Sequence, residues 1–192
     1  MTRPRIQQRT RIYLGCEGES EQSYGKRLNE IADSFDLHLH FDNDLLRPGG
    51  GDPLALVQLA IRRIKEKEVK RGMFALRAIL LDKDKLGLSP ERDAQIESLT
   101  QPHRLLLIWQ DTCHESFLLR HLEGQDNARP QTTGLAFQAL KRAWPEYHKP
   151  MSAMQLAVKI DLCTILRARS VESAFAEFLD LIGLTQGRTF SA

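Results

Sequence analysis

Apolar residues follow two rhythms along the chain. Short unbroken runs, Ile12-Tyr13-Leu14-Gly15-Cys16, Ile79-Leu80-Leu81 and Leu105-Leu106-Leu107-Ile108-Trp109 after Arg104, alternate with stretches where apolar residues recur every three or four positions. Runs without polar alternation fit strands buried on both faces, the kind that parallel sheets use. The periodic stretches predict helices. Tyr24, Leu28, Ile31 and Phe35 form one apolar stripe, in a helix opening at Ser20 and Glu21. Leu54, Val57, Ala60, Ile61 and Ile64 form another, with Asp52 as cap and Pro53 in the first turn, and Ser89-Pro90-Glu91 starts a third helix. Leu37, Leu39 and Phe41 alternate with His38 and His40, the pattern of a half-exposed strand. Strand followed by helix, repeated, predicts an α/β domain whose mainly parallel central sheet is flanked by helices.

The last third reads as helical. Cys113 to Glu123 carries Glu115, Leu118, Leu119, His121 and Leu122, and residues 124 to 133 have turn composition. Leu135, Phe137, Leu140 and Trp144 then mark a helix stopped by Pro145. Two further patterns follow, one through Met154, Val158, Leu162 and Ile165, the other through Phe175, Phe178, Leu179 and Ile182. The chain thus divides into a basic N-terminal arm (1–11), an α/β domain (12–125) and a helical C-terminal extension (126–192) packed on the same domain.

Composition narrows the class. The 192 residues are 42% hydrophobic and 27% charged, as in a folded globular domain. No apolar run reaches the roughly 18 residues a membrane span needs, and the arginine-bearing N-terminus lacks the apolar core of a secretion signal, so a cytoplasmic protein is expected. Three cysteines at no zinc spacing are expected to be reduced, and His38 with His40 lacks a further ligand at a useful distance. A net charge of +2 is too small to indicate nucleic acid, but it is clustered. Arg3, Arg5, Arg9 and Arg11 are either a loose tail or an arm laid along phosphates, and Arg62, Arg63, Lys65, Lys67, Lys70 and Arg71 either solvate their helix or contact phosphate. Pro48-Gly49-Gly50-Gly51 is a breaker and not a phosphate loop, since no Gly-Lys-Ser/Thr follows.

The candidate chemistry lies where the runs end. Glu17 follows the first, Asp82 and Asp84 follow the second, and Asp111 and Glu115 follow the third. If the strands are parallel, these turns share one sheet edge and their carboxylates converge. Carboxylates converging without a histidine or cysteine cage suit magnesium or manganese, which bridges phosphate oxygens and activates water.

Three segments together resemble a known family. Cys16-Glu17-Gly18-Glu19-Ser20-Glu21 with Tyr24, then Leu81-Asp82-Lys83-Asp84, then Glu115-Ser116-Phe117-Leu118-Leu119-Arg120-His121-Leu122 are similar to the RloB family, a branch of the Toprim superfamily related to the OLD-family nucleases. The resemblance spans roughly residues 10 to 125. It implies a Toprim-like Rossmannoid fold and a metal-dependent nuclease. Glu17 would be general acid/base or metal ligand, Asp82 and Asp84 metal ligands for Mg2+ or Mn2+, and Glu115 a further catalytic acid, with Lys83, Lys85, His121 and Glu21 in support. His114 and Phe117 stand where the family has phenylalanine and tryptophan. The setting it implies is an anti-phage, abortive-infection effector acting on DNA or RNA, controlled by an ABC- or AAA-type ATPase subunit; whether the chain also forms a homo-oligomer stays open. Two alternatives stay open: a non-catalytic Toprim-fold subunit that binds an ATPase, and a haloacid-dehalogenase-type phosphatase. The phosphatase would want threonine or valine where Leu86 stands, and has no use for Glu17.

Overall fold

The computed structural model describes residues 8–47 and 51–185. Arg3, Arg5 and the Pro48–Gly50 breaker lie outside them. Four strands, β1 (Thr10–Cys16), β2 (Leu39–Leu45), β3 (Leu76–Asp82) and β4 (Leu105–Gln110), form one sheet in the order β2-β1-β3-β4. Every pairing is parallel. The crossovers are α1 (Glu19–Ser34), α2 (Pro53–Arg71) and α3 (Pro90–His103). After β4 come α4 (His114–Leu119), α5 (Thr133–Ala143), α6 (Ala153–Leu156), α7 (Leu162–Arg169) and α8 (Ser173–Leu181). The architecture is α/β, with a four-strand parallel sheet between helices and a helical C-terminal part.

Both faces of the sheet are covered, which is why β1 and β3 read as unbroken apolar runs. Ile12, Leu14 and Cys16 of β1 and Ala78 and Leu80 of β3 face one core, shared with α1, α4 and the later helices. Tyr13, Ile79 and Leu81 face the other, with Leu54, Val57, Ile61 and Ile64 of α2 and Ile96 of α3. The chain therefore leaves β1 over one face to reach β2, then works back over the other to β3 and β4. The direction reverses between β1 and β3, and in open parallel sheets the crevice beyond the strand ends at such a reversal is where ligands bind.

Several expectations change in detail. β1 starts at Thr10, so Arg11 belongs to the sheet: its guanidinium lies 4.1 Å over the Phe74 ring and donates 2.9 Å to the Arg71 carbonyl. Arg9 pairs with Asp33 at 2.9 Å, so both described arginines of the arm are engaged within the fold. Two cations of α2 are likewise held, Arg63 on Asp44 at 2.7 Å and Lys67 on Asp42 at 2.6 Å. His38 precedes β2, with φ 49°, and only His40 is in the strand. The Met154–Ile165 pattern is no single helix but the short α6 and α7, and Met154 and Val158 are 81% and 75% exposed. All three cysteines are free. Among the described residues no helix is long and apolar enough to cross a membrane.

Candidate functional site

The crevice between β1 and β3 is lined by acids. Glu17 follows β1 directly, and its Oε2 accepts the backbone N–H of Asp82 at 3.1 Å, bridging the two strand ends. Gly18 then leads into α1. Its backbone is extended (φ −133°), so glycine is needed for space and not for a left-handed turn: a Cβ there would stand 2.8 Å from Glu21 Oε2. The Glu21 carboxylate folds back over that gap, 3% exposed, in the first turn of α1, where the helix dipole favours negative charge. Glu21 Oε2 and Asp82 Oδ1 are buried acceptors without a hydrogen-bond partner among the described residues.

These charges act on one another. Burial pushes the Asp82 carboxyl up to about 8, helped by the negative charges of Glu21, Glu17, Glu115 and Asp84. Burial also raises Glu17; the Asp82 N–H and Lys85 pull it down, while Glu21 and Asp84 push it up. In both, burial is the largest cause and the neighbouring carboxylates add to it. Asp84, Lys83 and Lys85 are exposed in the loop after β3. Lys85 lies beside Glu17: a Cβ placed on Gly51 (φ +68°) would be 2.5 Å from Lys85 Nζ and 3.2 Å from Glu17 Oε1.

Glu115 enters from the first turn of α4, 4% exposed. Here the loop after α5 supplies what the motifs did not show. Lys149 Nζ donates to Glu115 Oε1 at 2.7 Å, and the Tyr147 hydroxyl donates to the same oxygen at 3.3 Å. Burial alone would raise Glu115, but the hydrogen bond and charge of Lys149 outweigh it and hold the carboxyl below its ordinary value. Lys149 in turn stays protonated above its ordinary value against its own desolvation, through Glu115, Glu21 and Asp82. Glu115 is thus ionised and partnered, whereas Asp82 is not. The Asp111 charge acts instead on Arg120 and Glu172, where the extension is tied to α4.

His121 does not orient a carboxylate. It is fully buried among Tyr24, Phe117 and Phe175; its Nδ1–H donates to the Phe117 carbonyl at 3.0 Å, and its Nε2 accepts from the Tyr24 hydroxyl at 2.8 Å. Burial lowers it to about 3, so it is neutral. His114 is packed the same way, 5.8 Å from the Tyr24 ring, with Nδ1 2.8 Å from Gln110 Nε2. His114 thus occupies an aromatic slot. Cys113, beside Glu115 and Asp82, is pushed by burial up to about 12 and is no nucleophile at neutral pH.

The donor set fits a hard divalent cation. It is all carboxylate, and it includes two unpartnered buried oxygens. Among the described residues no three acid, histidine or cysteine side chains already form a cage. No protein-family model, curated protein or solved structure matches the chain.

Proposed function

We propose that the chain is a metal-dependent Toprim-type nuclease that hydrolyses phosphodiester bonds in DNA or RNA. The observation that carries the reading is the Glu17–Asp82 bridge across the sheet's reversal point, with Glu21, Asp84 and Glu115 acting on the same carboxyl. Asp82, Asp84 and Glu17 would hold Mg2+ or Mn2+, which supplies charge neutralisation at a phosphate and a water of lowered pKa. Glu17, which burial raises above the ordinary carboxylate range, holds a proton more readily than a free glutamate and is suited to general acid/base work. Lys149 places a positive charge against Glu115, and Lys85 a second one beside Glu17, so a polyanionic backbone approaching the acids would meet cations there. Glu115 anchors Lys149. The likeness to the RloB family extends the proposal to an anti-phage effector governed by an ATPase subunit.

A second reading, a non-catalytic subunit of the same fold, draws on the lack of a ready cage and on the closing of Glu115 by Lys149. Cleavage separates the two. Plasmid DNA and structured RNA are incubated with the purified protein in magnesium, manganese or chelator, alone and with a candidate ATPase. Metal-dependent cutting, reduced at least about a hundredfold in Glu17→Ala and in Asp82→Ala while circular dichroism is unchanged, is the expected result. Cutting that survives both substitutions would remove these acids from the chemistry. No cutting under any condition would favour the binding subunit.

A further inference from the structure

We infer that the acid crevice takes one divalent cation per chain, because the Lys149 ammonium holds the carboxylate, Glu115, that a second ion would need. The inference rests on the metal-dependent reading above and adds to it the number of ions and the part played by the loop after α5. Hydrolysis at phosphorus can be run by two divalent ions about 3.5–4 Å apart, one on the attacking oxygen and one on the leaving oxygen. Such a pair needs enough free carboxylate oxygens to serve both ions.

The buried carboxylates here are of two kinds. Asp82 Oδ1 and Glu21 Oε2 have no hydrogen-bond partner among the described residues, so a cation bound there meets acceptors that nothing else serves. Glu115 is already served. Its Oε1 accepts from Lys149 Nζ at 2.7 Å and from the Tyr147 hydroxyl at 3.3 Å. A carboxylate in a charge-assisted hydrogen bond with an ammonium has the neutralising partner that a divalent ion would otherwise supply. The ion therefore falls to the Asp82 side of the crevice, and the ammonium keeps the Glu115 side.

Lys149 is held in place by its neighbours in the chain. Tyr147 is buried, its ring centroid 5.8 Å from that of Trp144, and Lys141 Nζ donates to the Tyr147 carbonyl at 2.8 Å. Met151, two residues beyond Lys149, is buried as well. The loop is thus pinned on both sides of the lysine, and its charge is set against the acids before anything binds. That charge acts on Glu21 and Asp82 as well as on Glu115. The Lys149 side chain is also 51% exposed, and of the three N–H donors of an ammonium Glu115 takes one. The others can meet a phosphate oxygen, which is the electrostatic part of a second ion's work.

The test counts bound manganese in the full chain, from the loss of the free-ion electron paramagnetic resonance signal as Mn2+ is titrated in, with circular dichroism confirming that each variant is folded. The wild type is expected to saturate at one ion per chain and Lys149→Met at two. Lys149→Gln, which keeps an N–H donor without the charge, is the second variant and is expected to follow Lys149→Met, whereas Lys149→Arg stays at one. Adding Glu115→Gln to Lys149→Met is expected to return the count to one. A lysine with a merely structural role would lower the melting temperature on substitution and leave the count alone. Two ions on the wild type overturn the inference without any variant, and so does no ion. A count that stays at one in the folded neutral variants overturns it too, as does a second ion that survives Glu115→Gln. Cleavage is followed on the same samples. One ion on the wild type and two on Lys149→Met with no cutting under any condition uphold the count while the nuclease reading fails; two ions on the wild type with metal-dependent cutting do the reverse.

Discussion

Asp82 is half-buried among other carboxylates and keeps its proton up to about 8, whereas an aspartate in the unfolded chain loses it near pH 4. Between those values the folded protein binds the extra proton, so this group's stability contribution is complete below about pH 4 and is lost as pH rises through about 8. Glu17, raised as well, acts in the same direction. The melting temperature of the metal-free protein should therefore fall between about pH 5 and pH 8, and Asp82→Asn should flatten that fall. Because a cation competes with the proton, added magnesium should raise the melting temperature more at about pH 8 than at pH 6. Thermal unfolding across a pH series checks both, and a steeper decline in Asp82→Asn would contradict them. Asp82 itself was legible, because a polar residue ending an apolar run marks a strand's end. Gly18 was harder: glycine signals either a left-handed turn or a close approach, and only the extended φ with Glu21 over it decides for the second. The partners of His121 were not legible, because helical spacing does not say which neighbour a ring meets, and its neighbours are Tyr24 and Phe117.

Among the elements, the informative tie is between α4 and the loop after α5. Glu115 is buried and Lys149 about half-exposed, so their bond lies between a surface pair and a buried one. Lys149→Met, which strands a buried carboxylate, should cost about 1–2 kcal/mol, and Glu115→Gln added to it should return part of that loss. A double-mutant cycle in urea measures the coupling, and additive losses would show that the pair is not the source. The strands and crossover helices were readable because each carries a local signal: an unbroken apolar run, an alternation, a helical stripe or, for α3, a capping serine and proline. Tyr147 and Lys149 were not, since a loop between Pro145 and Pro150 has no period, and only the packing of the extension brings it to Glu115. Met154 and Val158 erred the other way: four apart, they imitate one turn of an apolar stripe, yet both are exposed.

At the scale of the whole molecule, one core crosses the border that the turn-rich residues 124 to 133 suggest. Leu14, Tyr24 and Phe117 share it with Leu140, Ile165, Phe175 and Phe178, and Arg120, fully buried, is paired with Glu172 beyond the border. A fragment of residues 1–125 would uncover that face and leave Arg120 without its partner, so it should fail to fold cooperatively. Dispersed amide NMR signals from the fragment would contradict this, whereas dye binding and collapsed signals are expected. The sequence shows the turn but not the contacts across it, because burial between distant segments leaves no local period. Synthesis order adds a consequence of the Lys149 contact. Glu17, Glu21, Asp82 and Glu115 are all synthesised before Tyr147 and Lys149, and domains consolidate from the N-terminus as the chain emerges. A growing chain thus carries its acids for some time without the lysine that settles them.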